Sequence, residues 1–219
     1  MSRLHVVTAS VDEVARRFGA EAPEGLIVPD QTTEGCPGLV VIEREGRRYI
    51  RPYAWGFPRL TREMRERGDP PGALGLVADL TNPMWDKTVA DPRNRCLIVL
   101  THFANPDGLA GSTTRTWFSL SDQPIAAWAG FCRNTPEFGV VYAGMTMEAN
   151  AAIPPTNDRM PVLLEPHEYD RWLHGSIEDV IGFQFRRPIA AERMVIERTE
   201  DLWRSDGQPS QSGRQATLL

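Results

Sequence analysis

The chain has 219 residues, 41% of them hydrophobic and 24% charged, proportions that suit a globular protein with one substantial core and exclude a disordered or fibrous chain. Its net charge of −5 speaks against generalised nucleic-acid affinity, which rests on phosphate neutralisation, while leaving room for a local basic groove. No apolar run approaches bilayer-spanning length and the N-terminus lacks a basic-then-apolar leader pattern, so the expected location is the cytoplasm, with no membrane partner.

Cys36, Cys96 and Cys132 show no paired spacing, so neither a disulfide framework nor a zinc site is expected. Cys96 and Cys132 lie inside apolar runs and read as core. His5, His102, His167 and His174 are scattered without metal-ligand spacing, so the expectation is no metal and no cofactor. Lys87 is the single lysine, which leaves one candidate for lysine Schiff-base chemistry.

In chain order, Leu4 to Thr8 reads as a short strand. Ser10 with Glu13 three residues on forms a capping box, and Val11, Val14, Ala15 and Phe18 share a helical face that Gly19 ends. Residues 21–38 are rich in proline, glycine and polar side chains and read as a surface loop. Leu39 to Ile42 and Arg48 to Trp55 form a hairpin around Glu45-Gly46. Trp55 closes it, with two readings open: a core indole, or a platform on which a base stacks. Thr61 to Gly68 reads as a solvent-facing helix, and Asn82-Pro83 starts a short one over Met84 to Ala90. Arg95 to Phe103 is the strongest strand signal, apolar on both faces. Strands are also expected at Thr114 to Leu120, Ile125 to Cys132, Val140 to Thr146 and Arg193 to Glu197.

Glu148 to Leu164 is the unusual stretch. Pro154 and Pro155 restrict their neighbours and lack N–H groups, which predicts a fixed extended loop delivering Asn157, Asp158 and Arg159 to one place. Met160 to Leu164 then reads as a buried strand, and Glu165-Pro166 opens a helix with Tyr169, Trp172 and Leu173 on one face. Such a loop is either a binding or catalytic lip or a plain turn in which Asp158 pairs with Arg159. Short strands outnumber helices without alternating with them. The expected fold class is therefore α+β, a single domain over residues 1–203 with a mostly antiparallel, barrel-like sheet and peripheral helices. A disordered polar tail is expected over 204–219. Phosphate-loop, Rossmann, zinc-protease and nucleophile-elbow motifs are absent.

Trp55-Gly56-Phe57-Pro58, Asn94-Arg95-Cys96-Leu97-Ile98, Ile125 to Gly130, Met147-Glu148-Ala149-Asn150 and Asp158-Arg159-Met160-Pro161-Val162-Leu163 follow one another in an order and spacing that resembles the SOS-response-associated peptidase (SRAP) family. Members of that family sense abasic sites in single-stranded DNA. The resemblance implies the mixed, barrel-like α+β fold already expected. It also implies a mechanism in which a cysteine, made N-terminal by methionine removal, attacks the ring-opened sugar aldehyde to form a thiazolidine. An asparagine, a glutamate and a histidine assist.

At those positions this sequence differs. Ser2 stands where the resemblance places the cysteine, Asn105 the glutamate and Asn157 the histidine; the asparagine motif falls near Leu76 to Asp79, with Ala78 at or near its arginine. Pro106 replaces the aromatic expected after the glutamate. A serine hydroxyl titrates far above a thiol near ~8.5, so almost no alkoxide forms at neutral pH without a base. Trp55 and Arg159 match the family's groove tryptophan and loop arginine, which implies a stacking surface and a phosphate contact for single-stranded DNA. The expected protein is thus a catalytically degenerate SRAP-like one that binds DNA non-covalently. Its rivals are an interaction protein with a protein partner, and residual aldehyde chemistry through the Ser2 amine.

Overall fold

The structure, a computed structural model, describes residues 4–108, 113–153 and 157–203. Its centre is a strand ring. In hydrogen-bonding order Gly139–Glu148, Ala126–Thr135, Arg95–Leu100, Pro37–Arg44 and Arg47–Trp55 pair antiparallel, and Arg47–Trp55 closes back onto Gly139–Glu148 through a parallel pairing of Val141 with Ala54 and Tyr142 with Trp55. These strands belong to a nine-stranded sheet. A second sheet of five strands carries Thr32–Thr33, Leu4–Val6, His102–Asp107, Thr114–Leu120 and Met194–Leu202.

The local reasons are legible in the residues. Glu45 and Gly46 adopt positive φ of 53° and 73°, the two-residue turn whose twist matches a hairpin. The helix Val11–Phe18 has the Ser10–Glu13 capping box and ends at Gly19 in the left-handed region. Val14 and Phe18 face the core. Arg62–Arg67 is a helix with Thr61 as its cap, and Pro83–Trp85 leads into Asp86–Ala90. Pro166–Glu168 leads into Tyr169–His174, with Tyr169, Trp172 and Leu173 buried as the spacing predicts.

Several expectations need correction. The apolar run Arg95 to Phe103 is not one strand: it breaks at Thr101 and continues as His102–Asp107 in the other sheet. The corner is held because Thr101 N donates to Val6 O at 2.8 Å and the Thr101 hydroxyl accepts from Thr8 N at 3.1 Å. Met160 to Leu164 is likewise two short strands, Arg159–Pro161 and Leu163–Leu164, separated at Val162, whose N–H and carbonyl serve Met145 and Ala129. The stretch 21–38 contains strand residues at Ala20–Glu21, Thr32–Thr33 and from Pro37. A helix at Ile177–Phe185, capped by Ser176 with Asp179, was not expected. Pro154, Pro155 and the 204–219 tail lie outside the described residues.

Candidate functional site

The strand His102–Asp107 carries Asn105, which faces Thr116 across the sheet. Asn105 is fully buried (0% exposed), and among the described residues neither its amide nitrogen nor its oxygen has a hydrogen-bond partner. An amide stripped of water with nothing in exchange costs about 1–3 kcal/mol, so a fold that keeps one there forgoes stability. Leu4 pairs with Ala104, so the chain enters the sheet beside Asn105. Ser2 itself lies outside the described residues.

Asn157, 4% exposed, approaches from the other direction, and its Nδ2 donates to Pro106 O at 2.9 Å. That bond ties Asn157 to the backbone one residue beyond Asn105, across 51 residues of sequence. Arg159 follows as the first residue of its strand, opposite Glu148. Its Nη2 donates to Ala78 O at 2.7 Å and Thr146 O at 2.6 Å, and its Nε to the Thr146 hydroxyl at 3.3 Å. No ion pair joins Asp158 to Arg159 among the described residues, so the plain-turn reading does not describe this loop. Gln184, on the unexpected helix, supports the same ground: its Nε2 donates to Thr146 O at 3.0 Å and Ala78 O at 3.2 Å, while its Oε1 accepts from Leu80 N at 3.0 Å.

Trp55 is elsewhere. It is 1% exposed, stacked on Tyr142 at 6.3 Å and edge-on to Trp128 at 5.7 Å and His5 at 5.0 Å. Of its two sequence readings the core one describes this structure, and the indole offers no open face for a base. Its Nε1 donates to Gly75 O at 2.7 Å, one residue before the Leu76–Val77 strand that leads to Ala78. Ala78 stands at or near the implied arginine, and its backbone carbonyl accepts from Arg159 and Gln184.

The chemistry open to this constellation is narrow. Amides of Asn105 and Asn157 donate and accept hydrogen bonds but neither take up a proton nor attack a carbonyl at neutral pH. The nearest carboxylate on the Asn105 strand is Asp107, engaged by the Thr116 hydroxyl at 3.3 Å and by Arg198 at 3.7 Å. Gln184 and the pairing of Asn157 with Pro106 are the site features that sequence reasoning missed; only the Ser176–Asp179 capping box announced the helix that carries Gln184.

These elements define a single α+β domain built on a strand ring. The sequence matches the model of the SOS response associated peptidase (SRAP) family over residues 2–200, and the chain belongs to that family. No curated relative matches. Among solved structures it is similar to a Bordetella bronchiseptica protein at 20% identity, with 90% of this chain and 99% of that one covered and a TM-score of 0.72. It is also similar to a Bacteroides thetaiotaomicron protein (17% identity, 89% and 90% covered, TM-score 0.71) and to a phage-related protein of Bordetella bronchiseptica (13%, 90% and 93%, 0.63). At such identities these neighbours speak for the fold alone.

Proposed function

We propose that this SRAP protein is catalytically degenerate and binds single-stranded DNA without a covalent link, in the setting of the DNA-damage response that its family serves. The observation that carries the reading is what stands at the family's reactive positions: Asn105 and Asn157, whose amides exchange hydrogen bonds but neither take up nor release a proton at neutral pH. Loss of positioned acid and base groups costs about a hundredfold to ten-thousandfold each, without simple addition. Ser2 in place of a thiol removes the nucleophile as well. Arg159 supports the DNA part, because its Nη1 makes no hydrogen bond among the described residues and is free for a phosphate oxygen.

Fluorescence anisotropy with a short labelled single strand, at two salt concentrations, tests the reading. Binding tighter than ~100 μM at low salt that weakens as salt rises is expected. No binding at low salt contradicts it.

A second reading, a protein-interaction role without DNA, is favoured by the burial of Trp55, which removes the implied stacking surface, and by the net charge of −5. A stoichiometric protein partner together with failure of the anisotropy titration would select it.

A further inference from the structure

A cleft of about 570 Å³ is bordered by Phe18, Gly19, Gly46 and Arg47 and contains Glu43, Asp170 and His174. The three potential donors come from two elements. Glu43 sits near the end of the strand Pro37–Arg44, whereas Asp170 and His174 lie one turn apart on the helix Tyr169–His174, on a common face. His174 Nε2 is 2.9 Å from Glu43 Oε1, and one ligand atom from each of the three residues lies within 4.8 Å of the others.

Arg48 decides what the cluster can do. Its Nε donates to Glu43 Oε2 at 3.2 Å and its Nη2 to Asp170 Oδ1 at 2.6 Å. Each carboxylate therefore spends one oxygen on the guanidinium and keeps the other: Glu43 Oε1 faces the imidazole, and Asp170 Oδ2 makes no hydrogen bond among the described residues. One guanidinium that holds an oxygen of each carboxylate plays the part of the outer partners that orient metal ligands.

The geometry points to Glu43, Asp170 and His174 as a site for one divalent transition-metal ion of the zinc class. Tetrahedral zinc at about 2.0–2.2 Å from each donor holds neighbouring donors roughly 3.4 Å apart. The His174–Glu43 pair opens slightly to reach that spacing, and Asp170 closes in. Asp170 has a side chain 81% exposed, so its movement meets little resistance. One imidazole among the donors favours borderline ions over magnesium or calcium, which take oxygen ligands. Three protein donors leave a coordination position toward the cleft, the count of an open zinc site. The Arg48 charge opposes the ion, which places the affinity in the micromolar range rather than that of a closed structural site. No other group of three such residues is clustered among the described residues.

Calorimetric titration of the full-length, tag-free protein with zinc chloride tests the proposal. One ion per chain with a micromolar Kd is expected, with no heat from magnesium. His174→Ala and Asp170→Ala are each expected to weaken zinc binding at least tenfold. His174 and Asp170 side chains are 54% and 81% exposed, so both variants keep the fold, as an unchanged thermal transition will verify. Absence of binding with 100 μM protein, on the order of the weak limit for a specific ion site, overturns the proposal. So does zinc binding that both variants retain, because the ion then sits elsewhere.

Discussion

Trp55 and Arg159 hold the two ends of one short segment: the indole Nε1 donates to Gly75 O, and the guanidinium Nη2 donates to Ala78 O, each at 2.7 Å. The two residues that the resemblance assigns to DNA are thereby joined through Leu76 and Val77, in the region where the family's asparagine motif falls. Their freedoms differ. Trp55 is wholly engaged in the core, while Arg159 keeps one guanidinium nitrogen available.

That difference separates the two by mutation. Trp55→Phe is expected to cost about 1–3 kcal/mol of stability from the lost hydrogen bond and volume and to leave affinity for single-stranded DNA within twofold of the parent. Arg159→Ala is expected to lower the salt dependence of binding by roughly one counterion and to weaken affinity for every sequence alike. Urea denaturation and anisotropy at several salt concentrations, run on both variants, check the split.

Asn105 offers a sharper test. Replacing a buried, unsatisfied amide with an apolar side chain of similar size removes a desolvation penalty, so Asn105→Leu is expected to stabilise the protein by about 1–3 kcal/mol. Because the side chain is fully buried, the same change is expected to leave affinity for single-stranded DNA unchanged. A destabilised variant in urea denaturation would show that the amide contributes to the fold in its own right.

Acid should destabilise the protein through His5. This imidazole is buried, hydrogen-bonded through Nε2 to the Tyr142 hydroxyl at 3.0 Å, and desolvation lowers its pKa from 6.5 to about 3. The unfolded chain takes up a proton as pH falls below about 6.5, whereas the folded chain does not until about 3. Stability is therefore complete above 6.5 and declines as pH falls through that window. Between pH 6.5 and 5 the loss is about 2 kcal/mol at 1.36 kcal/mol per unit, to which the burial-lowered His102 adds in the same direction. Urea midpoints at pH 7 and pH 5 measure the slope, and His5→Phe is expected to flatten it.

The ring tolerates no extra atom at Gly144. A Cβ built there lies 2.0 Å from Trp128 Cζ2 and 2.2 Å from Cε2, an indole fixed by its own N–H bond to Met145 O at 2.6 Å. Gly144→Ala is expected to destabilise by about 3 kcal/mol, the upper end for overpacking. Thermal unfolding against Gly182→Ala, where a Cβ meets nothing within 4 Å, gives the contrast.

Much of this architecture can be read from the chain because its signals are local. The capping box at Ser10, the Glu45-Gly46 turn and the Pro166 helix start each depend on a few adjacent residues. The corner at Thr101 could not be read, since apolar residues on both sides are buried and the bonds that bend the chain come from Val6 and Thr8. The helix Ile177–Phe185 hides for another reason: Ile177 and Phe185 stay exposed while Val180 and Phe183 are buried, so its apolar residues mark no single face. At the site, Asn105 and Asn157 were identified by family position alone. Nothing in two amides announces that one will lack partners or that the other will bind the carbonyl of Pro106.

The central claim is that recognition outlived covalent chemistry in this SRAP protein. Incubating it with a single-stranded oligonucleotide carrying one abasic site, followed by heating and denaturing electrophoresis, tests that claim most directly. Free oligonucleotide beside a shifted band from a cysteine-bearing SRAP protein is the predicted result. A heat-stable DNA–protein band that disappears in a Ser2→Ala variant would contradict it.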